Sequence, residues 1–592
     1  MGSPRFNLVA GGDPIYLRVR DAGGGGLFHE VYGSYICFFE WSKIGRTWSS
    51  LRQRPHHMAR VLAESGFQVL LVEPPAGDGA DVVNPKPLAD GVFFVTPRRN
   101  SPATLRPWLE QLSQQFSDAP WIVHHPAWTP FLRDFLLTSR IIAYDCMDEW
   151  GEFPGSPSKL SPWEANVSAW EVELAAKSHF VLATSISLWA RMRLINRFTS
   201  YIPNAAYPKD FANQLPEARD LKAVSRPRLL FVGLVGEWVD LELIHYVAKT
   251  RPDWSLAMVG PSSVSSTALP QEPNIYWLGE KPYTELEAYM GHCEVGIIPF
   301  KQTKLTRAVN PLKAHEYLAA GLPVVSTFVS DLLLVADPAV QVTSSYDAFV
   351  KAVERALQQR LKPQTSGGTQ AGAWEEKVAQ FLDCLEGRGF ERDMIIASRY
   401  AEAVAAILKE DFSPELAWDL AVVEYARGHY EAVLALTPPG SALRQAALVR
   451  MGRYDQVFAE IVGDQPRFRD NWPEEAVIAQ VLLDNGEPAA ALEALNKAAS
   501  LGPEHHLVFG RVYASLGLFA ESVAAFSQAV ESLPSLLDAT DFLTVGDVLR
   551  ELGLDAEAEE YYVRAWALGQ RTQGEERLSR LYFDRALSSA RP

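Results

Sequence analysis

The sequence of 592 residues predicts two α/β domains in series, followed by an all-α domain built from helical repeats. Apolar segments alternate with helical patterns in two successive series, as the strands and crossover helices of two doubly wound parallel sheets require. From about residue 391 these apolar segments disappear, and similar glycine-containing turns recur at intervals of 24 to 36 residues. A chain of this length also exceeds what one hydrophobic core supports, so several domains are expected.

The first domain is predicted to span residues 1–205 and the second residues 206–370, with a linker or crossover helix at 371–390. The strands predicted for the first domain are 35–39, 69–72, 92–95, 121–124, 141–144 and 180–184. Those predicted for the second are 228–232, 255–259, 275–278, 295–299 and 323–326. Ligands of doubly wound sheets bind at the carboxyl ends of the strands. We therefore expect two Rossmann-like domains with an active site in the cleft between them.

Residues 391–592 are predicted to form the helical-repeat domain. The five similar turns contain Gly428, Gly452, Gly486, Gly517 and Gly553. Their spacing resembles that of degenerate tetratricopeptide (TPR) repeats, in which a helix-turn-helix unit of about 34 residues stacks on its neighbours. The concave surface of such an array is a binding site for peptides, which predicts a protein or peptide partner. A solenoid that only braces the preceding domains or forms a homo-oligomer is the alternative.

Charge is unevenly distributed along the chain. Residues 391–592 contain 18 basic and 32 acidic residues and so carry −14 of the total charge of −17. Such a segment repels nucleic acid and anionic lipid. Because no apolar stretch is long enough to cross a bilayer and residues 1–14 do not resemble a secretion signal, we expect a cytoplasmic protein with no transmembrane segment. The four cysteines are far apart, which predicts neither a disulfide framework nor a metal site.

The most informative segment is 308–328, where a helix is predicted to run into a buried strand. Pro311 suits the first helical turn because its missing N–H would have no partner there. Lys313 and Glu316 are three residues apart and so share one face of the helix. Free N–H groups at the helix start and the Lys313 ammonium suit a phosphate, and Glu316 can accept hydrogen bonds from a ribose diol. An ordinary amphipathic helix with a surface ion pair is the alternative.

The segments NPLK, from Asn310 to Lys313, and EYLAAGLPVV, from Glu316 to Val325, resemble the donor-site helix of glycosyltransferases with the GT-B fold. This resemblance implies a nucleoside diphosphate-sugar as donor substrate, no other cofactor and no bound metal. Retaining members of that superfamily often carry two glutamates spaced E-x7-E; Glu316 matches the second, whereas Ala308 stands in place of the first. Some inverting members instead carry a pyrophosphate-binding lysine on this helix, which Lys313 resembles. Both stereochemical outcomes therefore stay open.

Two further blocks extend the resemblance. Residues 227–261 resemble the first strand-helix-strand unit of the GT-B C-terminal domain, and residues 274–300 resemble the segment beside the nucleobase and the sugar. The loop after the first strand offers Glu237 where many relatives have basic residues, so Lys304, Arg307 and Lys313 are the candidates for compensating charge. The predicted donor site comprises Gly233, Gly236, Glu237, Gly279, Tyr283, Phe300, Arg307, Asn310, Pro311, Leu312, Lys313 and Glu316.

Three residues of the first domain are candidates for catalysis. Asp148 and Asp145 follow a predicted strand, where an inverting enzyme of this fold could hold a carboxylate that deprotonates an acceptor hydroxyl. Asp148 is the first choice and Asp145 the second, although either could instead be structural. His57, like His124, is a candidate for substrate positioning, with a buried, hydrogen-bonded histidine as the alternative.

The resemblance and the repeats together predict a nucleotide-sugar-dependent, metal-independent glycosyltransferase. Eukaryotic protein O-GlcNAc transferases also join such repeats to a GT-B enzyme, in the reverse order. By that analogy, the predicted acceptor is Ser or Thr of a protein such as flagellin, recruited by the repeats. One alternative is a cell-wall or polysaccharide acceptor, and another is a non-catalytic repeat scaffold with a degenerate GT-B fold.

Overall fold

The computed structural model describes residues 15–577 except for 21–25, 32–34, 41–51, 77–78, 81, 99–101, 137, 139, 153–166, 213–214, 336, 360–372, 391–392, 411–412, 440, 452, 454–455, 457–472, 485–487, 499, 533–538, 553 and 568–576. The chain forms two compact units, Met1–Ala406 and Ile407–Pro592. The first unit contains both of the large sheets, and the described part of the second unit is helical.

The described part of the first unit begins with an antiparallel hairpin of β1 (Ile15–Arg20) and β2 (Gly26–Val31). Its first large sheet consists of β3 (Tyr35–Phe39), β4 (Gln68–Val72), β5 (Lys86–Ala89), β6 (Val92–Val95), β7 (Trp121–Val123), β8 (Ile142–Cys146), β9 (Phe180–Ala183) and β10 (Thr199–Tyr201). The strand order is β10-β9-β8-β7-β3-β4-β6-β5, and every pair is parallel except β5 with β6. The described helices of this domain are α1 (Arg54–Glu64), α2 (Pro102–Gln115), α3 (Thr129–Leu132), α4 (Val167–Lys177) and α5 (Ile186–Ile195).

The second large sheet is parallel throughout, in the order β13-β12-β11-β14-β15-β16. Its strands are β11 (Arg228–Val232), β12 (Ser255–Val259), β13 (Ile275–Gly279), β14 (Val295–Ile298), β15 (Val324–Thr327) and β16 (Val340–Thr343). The described helices are α6 (Leu241–Thr250), α7 (Glu287–Met290), α8 (Lys304–Arg307), α9 (Leu312–Ala319) and α10 (Tyr346–Gln359). Apolar residues on both faces of the sheet are buried, as a parallel sheet covered by helices requires.

The structure confirms the predicted fold class, and every predicted strand is present with ends within two residues of the prediction. Sequence reasoning missed the β1–β2 hairpin and the strands β5, β10 and β16. The last three are edge strands of the two sheets. Each is three or four residues long. Short edge strands carry little of the apolar alternation that identifies a strand in a sequence.

After the second sheet the chain returns to the first domain. Helix α11 (Trp374–Leu385) packs against α1, and Trp374 and Phe381 are buried in the core of the first sheet. The next helix, α12 (Asp393–Glu410), begins at a carboxylate of Asp393 that accepts a hydrogen bond from Tyr201 N at 2.8 Å. A helix therefore lies in the segment predicted as a linker or crossover helix, and the division between the compact units lies within α12.

The second unit contains α13 (Pro414–Ala426), α14 (Tyr430–Leu436), α15 (Ala442–Arg450), α16 (Glu474–Asp484), α17 (Pro488–Leu495), α18 (Pro503–Ser515), α19 (Phe519–Ser532), α20 (Ala539–Glu551) and α21 (Asp555–Ala567). Gly510 on α18 lies against the ring of Phe526 on α19, and Gly546 on α20 lies against Tyr562 on α21. The two pairs are 36 residues apart, so the same helix packing recurs at the spacing of the sequence repeat. The tetratricopeptide assignment itself stays a prediction, and the turns at Gly452, Gly486 and Gly553 lie outside the described residues.

Within the described part of the chain, no helix has both the length and the apolar character needed to span a bilayer. The same residues contain no group of three or more His, Cys, Asp or Glu side chains that could hold a metal ion.

Candidate active site

A cavity of about 500 Å³ lies between the carboxyl ends of strands from the two large sheets. Glu40 follows β3, His124 follows β7 and Asp148 lies two residues beyond β8, and all three line the cavity. Gly233, which follows β11, and Lys313 on α9 line it from the second domain. The cavity therefore occupies the place at which doubly wound sheets bind ligands.

Four ionisable side chains form a buried chain of ion pairs at the ends of β3, β7 and β8. Arg54 Nε donates to the two carboxylate oxygens of Asp145 at 3.1 and 2.8 Å. His124 lies between two carboxylates, with Nδ1 2.6 Å from Glu40 Oε1 and Nε2 3.3 Å from Asp145 Oδ2. Burial by itself lowers the pKa of His124, but the carboxylates of Glu40 and Asp145 raise it to about 9. The imidazole is therefore a cation at neutral pH.

Asp145, the second candidate for the catalytic base, is fully buried and lies outside the described wall of the cavity. Burial raises the pKa of Asp145, but Arg54 and His124 outweigh it and the net pKa lies below the usual value. A carboxylate held by two cations has little tendency to take up a proton. The structure thus places Asp145 as the group that orients Arg54 and His124.

Asp148, the first candidate, lines the cavity. Burial, and to a smaller extent the negative charge of Glu149, raises the pKa of Asp148 to about 7. The Thr184 hydroxyl donates to the Met147 carbonyl at 2.9 Å, which fixes the loop that carries Asp148. A carboxyl group whose pKa lies near neutrality has the proton affinity that a general base requires. The catalytic role of Asp148 stays a prediction.

Helix α9 carries the predicted phosphate and ribose ligands. Pro311 is its N-cap and not its first helical residue, because the proline adopts an extended backbone with ψ of 109°. Lys313 Nζ donates to Glu316 Oε2 at 2.5 Å. Lys313 lines the cavity together with Pro311 and Leu312, whereas Glu316 is fully buried behind it. The pair is thus not the surface ion pair that was the alternative, and Lys313 is its cavity-facing member.

Asn310 lines the cavity and also joins the two domains. Its side-chain oxygen accepts from Asn204 N at 3.1 Å, and its carbonyl accepts from Asn204 Nδ2 at 2.7 Å. Asn310 Nδ2 donates to Asp331 Oδ2 at 2.8 Å. Asp331 in turn accepts from Ile186 N and from the Tyr201 hydroxyl, each at 2.9 Å. The side chain of Asn310, predicted as a donor-site residue, therefore has a structural role in this network.

The loop after β11 brings backbone and an aromatic ring to the cavity. Gly233 has a φ of +153°, which favours glycine, and it lines the cavity. Gly236 lies against the ring of Trp238, which also lines the cavity. Glu237 is exposed. Among the residues that the structure describes, the cavity lining does not include Glu237, Gly236 or Gly279. Of these predicted donor-site residues, the structure therefore brings Gly233 into the wall.

His57 and Tyr283 lie behind the described wall. The His57 ring is 1% exposed and stacks on Trp374 with ring centres 5.1 Å apart. Burial, and then the positive charge of Lys313, lowers the pKa of His57 well below the usual value. Tyr283 packs against His57 and lies under the guanidinium of Arg52, 4.6 Å from the ring centre. The catalytic role of His57 stays a prediction, and the structure places its ring against Trp374 and Tyr283.

The predicted cations differ in their surroundings. Lys304 lies 3.2 Å from a carboxylate oxygen of Glu149 and 3.2 Å from one of Glu152. Arg307 lies outside the described wall, whereas Phe300 lines the cavity as predicted. Three cations were predicted to neutralise the diphosphate. Of these, Lys313 lines the cavity among the residues that the structure describes.

Sequence reasoning did not identify Glu40, Arg54, Asn204, Trp150 or Trp238 as cavity residues. For Glu40 a signal was available, since it directly follows a predicted strand, as Asp145 does. The other four come from loops or a helix start, whose direction depends on contacts between distant segments.

Strand β14 needs glycine at position 296 because of α9. A Cβ on Gly296 would lie 2.5 to 2.9 Å from ring atoms of Tyr317, which is fully buried. We expect Gly296→Ala to destabilise the protein by about 1 to 3 kcal/mol through overpacking and to displace the helix that carries Lys313. Thermal unfolding and nucleotide titration measure the two effects. The double variant Gly296→Ala/Tyr317→Leu should regain part of the lost stability and part of the lost nucleotide affinity. A Gly296→Ala variant that unfolds at the wild-type temperature would contradict the close contact.

The second sheet and α9 lie in a segment with known relatives. Residues 226–359 match the family described as Glycosyl transferases group 1. The chain is 25% identical over 333 residues to the putative teichuronic acid biosynthesis glycosyltransferase TuaH of Bacillus subtilis (strain 168), which covers 49% of this chain and 79% of that protein. These matches support glycosyltransferase activity and the predicted relationship to GT-B glycosyltransferases.

Two solved structures resemble the chain over about three-fifths of its length. Sucrose-phosphate synthase from Thermosynechococcus elongatus has a TM-score of 0.45 and 13% identity, over 63% of this chain and 100% of its own. The lipopolysaccharide outer core galactosyltransferase WaaB has a TM-score of 0.37 and 13% identity, over 62% of this chain and 99% of its own.

Proposed function

We propose that the protein transfers a sugar from a nucleoside diphosphate-sugar to an acceptor hydroxyl. The observation that carries the proposal is the position of Lys313, in the cavity wall and within the segment that matches group 1 glycosyltransferases. In the proposed reaction Lys313, and not a metal ion, neutralises the leaving diphosphate. Asp148 takes the proton of the acceptor hydroxyl as its oxygen attacks the anomeric carbon, and the nucleoside diphosphate departs.

The acceptor that we propose is a hydroxyl of a cell-wall or other polysaccharide. The relative that supports this choice is named for teichuronic acid biosynthesis, and the match covers 79% of that protein. The cavity wall also includes the rings of Trp150, Trp238 and Phe300. Aromatic faces of this kind provide apolar surface for a sugar ring.

A protein acceptor such as flagellin is the second candidate. It is favoured by the recurrence of one helix packing in the second unit, where Gly510 meets Phe526 and Gly546 meets Tyr562. Stacked helix pairs form extended surfaces that bind peptides. Ser or Thr hydroxyls held by that unit would then be the groups modified.

The proposal predicts that the full chain binds a nucleoside diphosphate and its sugar conjugate. UDP, GDP and dTDP, and the corresponding nucleotide-sugars, should be titrated by calorimetry, and turnover followed as release of the nucleoside diphosphate. We expect one base to bind with micromolar affinity and its sugar conjugate to turn over when a polysaccharide acceptor is added. Binding without turnover on polysaccharide or protein acceptors would indicate the non-catalytic scaffold. No binding of any of the three would reject the proposal.

A truncation after residue 411 separates the two acceptor classes. This end point keeps α12, whose Asp393 accepts a hydrogen bond from Tyr201 N. Transfer to polysaccharide should persist in the truncated chain, whereas modification of a protein acceptor should be lost if the second unit recruits it. Mass spectrometry of the acceptor distinguishes the two results.

A further inference from the structure

Among the residues that line the cavity and that the structure describes, Arg54 Nη2, a hydrogen-bond donor, and Asn204 Oδ1, an acceptor, are buried polar atoms without a hydrogen-bond partner. The buried atoms of Glu40 and His124 in the same wall belong to the ion pairs of His124. The Arg54 side chain is 3% exposed, and both atoms are buried. A buried polar atom without a hydrogen bond costs free energy. Such atoms therefore indicate that a group of a ligand forms the missing hydrogen bond.

The two atoms belong to one region of the wall. Arg54 Nη1 donates to the Ile202 carbonyl at 2.9 Å and lies 3.5 Å from the carbonyl oxygen of Pro203, which precedes Asn204. Asn204 Nδ2 donates to the Asn310 carbonyl at 2.7 Å, which leaves Oδ1 as the amide atom without a partner. The same wall region thus offers one donor and one acceptor.

The charge of this region decides which ligand group it suits. Arg54 is neutralised by Asp145, and the His124 cation lies between Asp145 and Glu40. These four side chains carry two positive and two negative charges. A phosphate would find no net positive charge here and would be repelled by the lone pairs of Asn204 Oδ1. A hydroxyl both accepts and donates, and so matches Arg54 Nη2 and Asn204 Oδ1 together.

We propose that Arg54 and Asn204 form a subsite for a hydroxyl group of a sugar ring, while Lys313 binds the diphosphate. The inference rests on the proposed function and assigns its sugar-selecting residues to the first domain. The hydroxyl accepts a hydrogen bond from Arg54 Nη2 and donates one to Asn204 Oδ1. The ring can be that of the sugar donor or that of a saccharide acceptor, and the experiment distinguishes the two.

The variants Arg54→Lys and Asn204→Ala each remove one member of the subsite, and Arg54→Lys keeps a cation for Asp145. Arg60→Lys is the matched control, because Arg60 lies on the same helix and pairs with Asp210, outside the described wall of the cavity. Each protein should be titrated with UDP, GDP and dTDP and with UDP-glucose, GDP-mannose and dTDP-glucose. For the nucleotide-sugar that binds, the analogues lacking one ring hydroxyl should follow.

If the subsite holds the ring of the sugar donor, both variants should lose about tenfold in affinity for the nucleotide-sugar and less than twofold for the free nucleoside diphosphate. The analogue that lacks the bound hydroxyl should then have the same affinity for the wild type and for Asn204→Ala, because it cannot use the subsite. If it holds the acceptor ring, nucleotide-sugar affinity should stay constant while the KM for added methyl glucoside or polysaccharide rises about tenfold.

Equal losses for the nucleotide and the nucleotide-sugar in both variants would overturn the subsite, since they would indicate a general disturbance of the fold. So would unchanged affinity and unchanged acceptor KM. In either case nucleotide-sugar binding by the wild type leaves the proposed function standing. A wild type that binds no nucleotide-sugar would overturn the subsite and the proposed function together.

Discussion

Lys313→Ala should bind nucleoside diphosphates about 10- to 100-fold more weakly than the wild type, because a hydrogen bond to a charged group contributes about 1.5 to 3 kcal/mol. Lys313 is the cation that α9 presents to the cavity. Of the other cations near the cavity, Arg54 is 3% exposed and pairs with Asp145, and Lys304 and Arg307 lie outside the cavity wall that the structure describes. None of them is placed to take over the diphosphate. Calorimetric titration with UDP, GDP and dTDP measures the loss.

The same substitution should lower the stability of the fold. Lys313 Nζ lies 2.5 Å from Glu316 Oε2, and the Glu316 side chain is fully buried. Removing the lysine leaves a buried carboxylate without its cation, which costs about 3 kcal/mol. The double variant Lys313→Ala/Glu316→Gln removes that charge, so it should regain the wild-type Tm but not the nucleotide affinity.

Lys304→Ala is the control for both effects, since Lys304 is 57% exposed and Glu149, the buried one of its two partners, keeps its ion pair with Arg191. It should retain the wild-type Tm and nucleotide affinity. Nucleotide binding by Lys313→Ala at wild-type strength would show that the diphosphate is held elsewhere.

The fold could be predicted from the sequence because its signals are local. Residues 229–232 and 256–259, for example, are apolar throughout. Each run follows a polar residue and ends at a glycine, and a helical pattern separates the two. The edge strands were missed because packing on one side leaves them short and mixed in polarity. Tertiary contacts, and not the segment itself, decide that they pair.

A residue's place in the cavity wall could be predicted where it follows from the residue's own segment. Lys313 lies on a recognisable helix, and Asp148 follows a strand. The roles of Asp145 and His57 could not be predicted in this way. Asp145 is held by Arg54, 91 residues away in the chain, and His57 is covered by Trp374. No local pattern distinguishes a strand-end carboxylate that faces a cavity from one that faces a buried guanidinium.

Asp148→Asn should reduce the rate of sugar transfer by about 100-fold or more, the usual contribution of a general base. Burial, followed by the negative charge of Glu149, raises the pKa of Asp148 from 3.8 to about 7. Base catalysis needs the ionised carboxylate, so the wild-type rate should rise about tenfold per pH unit below pH 7 and level off above it. The variant should lack this dependence, and its affinity for the nucleotide should remain near that of the wild type.

The pH dependence of stability gives an independent test of the same carboxyl group. The folded state binds the Asp148 proton more tightly than the unfolded state, so stability falls as the pH rises from about 4 to about 7. Asp148→Asn carries no charge and should have the higher Tm at pH 8, with the difference vanishing near pH 4. Glu152→Gln is the matched control, because Glu152 lies four residues further along, half-exposed and outside the described cavity wall. Glu152→Gln should have the wild-type Tm at both pH 4 and pH 8, and its rate of sugar transfer should depend on pH as that of the wild type does. If Asp148→Asn lost stability at pH 8 and kept a rate that rises through pH 7, the titrating base would have to be another group.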